Sequence, residues 1–243
     1  MASPLPTAGA LLATAALLAA LPGSAAAGSR FVTEPPDAAA SRANRYAALS
    51  GETCLAVLRR RDVPFKEVEA TRGVDTPVRL TGPLRGVRFR PASPLLVDDQ
   101  DHRTIADCRL AVALDDLARV LRRSGVVEVE YYSMYRRRGA GWIKPGMRHQ
   151  GARAIDLVGV RLASGATYTV RGDFHGWIGA VTCGEKASKP RRDTEGARFW
   201  RGVVCELERM RSFNLLLTPN NDSGHRDHLH MEVRSGIQWF LIH

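Results

Sequence analysis

The chain has 243 residues, with 35 Lys and Arg against 25 Asp and Glu, giving a net charge of +10. That length supports one large domain with a real core, and a basic surplus favours anionic partners such as cell-wall glycans, wall phosphates or lipid headgroups. Nothing resembling a recognition helix or a base-stacking sheet motif accompanies the arginines, which sets nucleic acid aside.

Residues 1–27 contain no Lys, Arg, Asp or Glu and are dominated by Ala and Leu. Residues 11–21 form an apolar core too short to span a bilayer. Pro22-Gly23 and the small-x-small run Ala25-Ala26-Ala27 follow, so the segment reads as a secretory signal peptide cut after Ala27, with an uncleaved anchor as the alternative. No later stretch reaches the roughly 18 apolar residues of a membrane span. The mature chain is therefore expected to be periplasmic or secreted, with no stable membrane span after cleavage. Residues 28–43, rich in Ala, Pro and Ser, read as a flexible linker, and one folded domain is expected over 44–243.

Cys54, Cys108, Cys183 and Cys205 form an even, widely spaced set with no C-x-x-C pair. In an oxidising compartment this favours two disulfides. Four cysteines allow three connectivities; Cys54–Cys108 with Cys183–Cys205 is preferred, because each pair then lies within one half of the fold.

A short helix is expected over 52–61, and two extended segments around Gly82-Pro83 suggest a hairpin or loop over 78–90. Leu110, Ala113, Leu114, Leu117 and Leu121 recur at three- and four-residue steps, predicting a helix over 105–123 with a capping box at Thr104 and Asp107 and Gly125 as its stop. Val127, Val129 and Tyr131 alternate with Glu128 and Glu130, a strand pattern over 126–133. Segments 155–161 and 166–171 flank Ser164-Gly165 as a hairpin, and 172–195 reads as irregular. A second helix is expected over 197–211 with Trp200, Val203, Val204 and Leu207 inward. A strand over 214–218, a turn-rich loop over 219–227 and a last core strand over 228–233 complete the order. The fold class is α+β: a small antiparallel sheet carrying the site, with helices packed on one side.

The chemistry concentrates in two clusters: His149 to Asp156, and His225-Arg226-Asp227-His228-Leu229-His230. Strand alternation puts His228, His230 and Glu232 on one face and Leu229, Met231 and Val233 on the other. Two His and one Asp form a donor set that zinc uses in hydrolytic sites, leaving a fourth position for water.

The segment H-x-x-A-x-A-x-D at His149–Asp156 resembles the S-x-H-x-x-G-x-A-x-D signature of the LAS metallopeptidases. These include D-Ala-D-Ala carboxypeptidases, the murein endopeptidase and the Hedgehog signalling domain. The H-x-x-H-x-H at His225, His228 and His230 resembles the murein endopeptidase's second motif. The whole layout is similar to the bacterial extensin-like C-terminal domain family. The resemblance implies that His149, Asp156 and His230 bind Zn2+, with His228 as catalytic base and His225 orienting water or substrate. It also implies an oxyanion-stabilising Arg: Arg136 is the best match, with Arg137 and Arg148 as further candidates. Asp227 occupies the place of the Glu base of other subgroups, and strict alternation is expected to turn it away from His228. Met147 and Ala152 replace the motif's Ser and Gly, and Ala152 implies an ordinary backbone conformation. The function implied is an exported zinc-dependent peptidase acting on peptidoglycan. The alternative is a catalytically silent, zinc-stabilised wall-binding domain, and a phosphoesterase or nuclease is the weaker third reading.

Overall fold

A larger, mixed sheet replaces the small antiparallel one expected. The computed structural model describes residues 1, 32–33 (backbone), 41–93, 101–137, 148–237 and 240–243. Residues 2–27 of the expected signal peptide and Met147 lie outside the described residues. The strands are β1 (Val32–Thr33), β2 (Phe65–Glu67), β3 (Pro77–Leu80), β4 (Arg88–Pro91), β5 (Ile105–Asp107), β6 (Val126–Tyr131), β7 (Ala154–Leu162), β8 (Thr167–Thr169), β9 (Leu215–Leu217), β10 (Leu229–Glu232) and β11 (Phe240–Ile242). The helices are α1 (Arg42–Ala47), α2 (Gly51–Arg60), α3 (Cys108–Arg123), α4 (Val170–Asp173) and α5 (Glu195–Met210). The main sheet runs β1-β11-β9-β10-β7-β6-β4, with β8 also pairing β7, and β2-β3-β5 form a separate three-stranded sheet. The β4–β6 and β9–β11 pairs are parallel. No helix among the described residues is long and apolar enough to cross a membrane.

Local chemistry explains most element boundaries. Helix α3 starts at Cys108, later than expected, because residues 105–107 pair with β3 and Asp107 becomes the cap, accepting from the Arg109 N–H. Gly125, at φ +78°, follows the end of α3 as expected. Thr194 caps α5 by accepting from the Ala197 N–H. The 78–90 segment is not a hairpin: β3 joins the small sheet while β4 runs beside β6. The β7–β8 hairpin is present and turns at Gly165, φ +88°. Its first strand is longer than expected and its second shorter, since Thr169 caps α4. Strand β10 is not the last, because β11 adds to β9. The span expected as linker holds β1, which pairs β11, and Ser41, whose hydroxyl caps α1.

The core explains which sheet face carries chemistry. Leu110, Leu114, Leu117 and Leu121 of α3 and Trp200, Val203, Val204 and Leu207 of α5 form one cluster with Ile155, Leu157, Leu229, Met231 and Val233. Period-two alternation in β7 and β10 then sends Asp156, His230 and Glu232 to the opposite face. Both disulfides match the preferred pairing: Cys54–Cys108 ties α2 to the start of α3, and Cys183–Cys205 ties the 174–194 loop to α5.

Candidate metal centre

The centre is built on one register. Antiparallel pairing of β10 with β7 sets His230 directly opposite Asp156, although 74 residues separate them in sequence. A one-residue slip would send either side chain into the helix-facing core. The β6–β7 ladder shifts register between Glu130 and Tyr131, beside Asp156, and such irregularities re-aim side chains near functional sites. His149 arrives from a 3-10 turn, Arg148–Gly151. That turn is joined to the chain ahead of it by the Arg136 N–H, which donates to the His149 carbonyl at 3.0 Å. The turn then enters β7 through Ala152, whose φ of +50° is left-handed. The ordinary conformation expected at Ala152 is therefore wrong: the backbone keeps the shape for which glycine is suited, at a cost of about 1 kcal/mol.

Three donor atoms converge. Asp156 Oδ1 lies 2.7 Å from His230 Nδ1 and 3.1 Å from His149 Nε2, and the two nitrogens are 3.3 Å apart. Tetrahedral zinc with bonds of about 2.0–2.1 Å separates its ligand atoms by roughly 3.3 Å, so the triangle is close to the size such an ion requires. All three residues are buried.

The outer atoms are fixed as well. His149 Nδ1 faces the Met134 carbonyl at 3.1 Å; a carbonyl only accepts, so Nδ1 carries a proton, and Nε2, which faces Asp156 Oδ1, is the nitrogen that a cation would meet once any proton on it has left. His230 is reversed: its Nε2 donates to Glu232 Oε1 at 2.6 Å, turning Nδ1 inward. Arg136 holds the other Asp156 oxygen, Oδ2, and its Nε donates to Ser133 Oγ at 2.8 Å. Outer partners of this kind orient metal ligands and set their basicity. Sequence reading had placed Glu232 on this face without a role, and it had not singled out Ser133 or the Met134 carbonyl.

Charge follows from this packing. Burial pushes the Asp156 carboxyl up, but hydrogen bonds and charge from His149 and His230 outweigh it and hold the group well below the usual carboxylate range. Burial acts to lower His230, and Asp156 and Glu232 overcome it, pushing the imidazole up to about 9.

His228 and His225 stand at the rim. His228 Nε2 is 3.5 Å from Asp156 Oδ1, while its Nδ1 donates to Asp227 Oδ1 at 2.9 Å. The expectation that Asp227 points away from His228 is overturned. His228 precedes β10, so strand alternation does not govern this pair, and Asp227 backs the imidazole while accepting from the Tyr132 hydroxyl at 3.3 Å. His225 donates from Nδ1 to Asp222 Oδ1 at 2.8 Å. Burial holds its imidazole below the ordinary value, against the pull of Asp222. Among the described residues two groups can therefore gather a cation, His149-Asp156-His230 and His225-His228-His230, sharing His230. Of the other arginines proposed, Arg148 is exposed with Nε 3.8 Å from Glu232, and Arg137 is exposed beside Arg136.

A family model described as "Extensin-like protein C-terminus" matches residues 52–240. The chain belongs to that family. The match takes in every residue of the centre and both disulfides, whereas β1 and α1 of this extensin-like chain precede it. Comparisons with curated proteins and with solved structures found no match.

Proposed function

We propose that this extensin-like domain is an exported zinc-dependent peptidase, related to the LAS metallopeptidases, that hydrolyses peptide bonds in cell-wall peptidoglycan. The observation that carries the reading is the triangle of His149 Nε2, Asp156 Oδ1 and His230 Nδ1, each atom aimed inward by a separate outer hydrogen bond. The donor set fits zinc by type and by size. A divalent cation there supplies Lewis-acid polarisation of a carbonyl and acidification of a water.

The protein's own groups do the rest. His228 carries a proton on Nδ1 toward Asp227, which leaves Nε2 to take a proton from attacking water and return it to the leaving amine. Asp227 and, through it, Tyr132 keep that imidazole in the working tautomer. Arg136 holds Asp156 and, being half exposed, offers further guanidinium donors to charge developing on a substrate oxygen. Two disulfides and a basic surface suit an oxidising, anionic wall environment.

The test pairs two variants. Wild-type protein is expected to carry about one zinc and to release peptides from murein. His230→Ala should lose both properties, whereas His228→Gln should keep the zinc and lose peptide release by about 100-fold or more. Zinc and murein binding with no release by wild type would instead support the silent wall-binding reading.

A further inference from the structure

A cavity of about 440 Å3 adjoins the centre, and half of its named wall has no role assigned above. Its wall includes His102, Arg103, Tyr132, Ser133, Arg136 and Arg137. Three of these also serve the centre: Arg136 holds the Asp156 carboxylate and is itself held by the Ser133 hydroxyl, and Tyr132 donates to Asp227 and packs edge-on against His228, ring centres 5.9 Å apart. A molecule in the cavity therefore lies beside the reacting groups.

The described wall of the cavity is electropositive. Arg103 spends Nε and Nη2 on Asp101, and Arg136 spends Nε and Nη2 on Ser133 and Asp156, so each charge has a carboxylate partner and each side chain keeps Nη1. Arg137 has no hydrogen-bond or ion-pair partner among the described residues. His102 registers the resulting field: burial first, then Arg137 and Arg103, hold its imidazole below the ordinary value despite Asp101. Among the described residues one guanidinium is thus unbalanced, and its planar paired donors match a monoanion of carboxylate shape.

We propose that this cavity is a carboxylate-binding subsite, which selects peptides carrying a free carboxylate close to the bond presented to the centre. Arg137 is its principal anchor, with Arg103 in support. The assignment to peptides rests on the hydrolase reading; the selectivity for a carboxylate does not.

The test measures binding separately from turnover. The affinity of the zinc-loaded full chain for acetyl-Ala-Ala-Ala as the free acid and as its C-terminal amide would be compared by calorimetry, with inorganic phosphate as a competitor. The free acid is expected to bind about tenfold more tightly than the amide. Arg137→Gln should remove that difference while leaving zinc content and the amide's affinity unchanged, and Arg103→Gln should reduce it. Equal affinities for acid and amide in the wild type, or displacement of the acid by phosphate at equal concentration, would overturn the subsite. Retained acid preference without hydrolysis of any peptide supports the subsite and counts against the peptidase reading alone. Hydrolysis without acid preference does the reverse.

Discussion

His230 is the residue on which the centre turns, because it answers to Asp156 on one nitrogen and Glu232 on the other. Without a cation, its imidazolium fills the space between the two carboxylates. Its folded value of about 9 lies above the ordinary ~6.5, so this contribution to stability is complete below about pH 6.5. It is lost as pH rises through about 9. A zinc ion bound as proposed would have to displace that proton, so its affinity should increase over the same interval. Chelator-treated protein is therefore expected to melt at lower temperature at pH 9 than at pH 6.5, and the gap between zinc-loaded and metal-free melting curves should widen. A metal-free melting temperature that rises with pH would contradict the assignment of His230. Asp156 works in the opposite sense, since its depressed value makes its contribution fail only on strong acidification.

The elements that hold the centre are short, and the disulfides act where they meet. Cys54–Cys108 closes a span of 54 residues and secures the start of α3, which lies under the sheet. Cys183–Cys205 closes 22 residues and secures α5 to the irregular segment before it. Loop-closure entropy makes these worth roughly 4 and 3 kcal/mol respectively. Replacing each pair by Ala should lower unfolding free energy in that order in urea titrations of purified protein. The reverse order would show that α5 depends more on its cross-link than chain entropy explains. Zinc binding at the proposed centre is expected to survive loss of Cys183–Cys205, because none of the three proposed ligands lies on the elements it joins.

At the scale of the whole molecule, the +10 charge is a long-range field rather than a specific contact. Association with insoluble murein is expected to fall steeply as salt rises from about 0.05 to 0.5 M, because screening shortens the reach of exposed arginines. Zinc retention should not follow it, since the proposed ligands are buried. Sedimentation at several salt concentrations, with metal analysis of the same samples, measures both. Salt-independent association would point to apolar docking in place of the charge.

The residues that gather at the candidate site were legible in part. The two clusters stand out by donor chemistry, strand period places His230, and the ligand set of His149, Asp156 and His230 with His228 beside it follows from the family resemblance; α3, α5 and the β7–β8 hairpin follow from contiguous patterns that encode their own local geometry. What the chain order does not encode is register and long-range pairing. The facing of His230 and Asp156, the mixed sheet with β4 and β11, the β3–β5 pairing that delays α3, and the Asp227–His228 contact each depend on segments far apart in sequence. Ala152 makes the same point within one residue. Its side chain prefers an ordinary conformation, yet the packed turn between His149 and β7 holds it at φ +50°. Local preference amounts to about 1 kcal/mol per residue, whereas the core and the sheet sum many such contributions, so the tertiary structure decides wherever the two conflict.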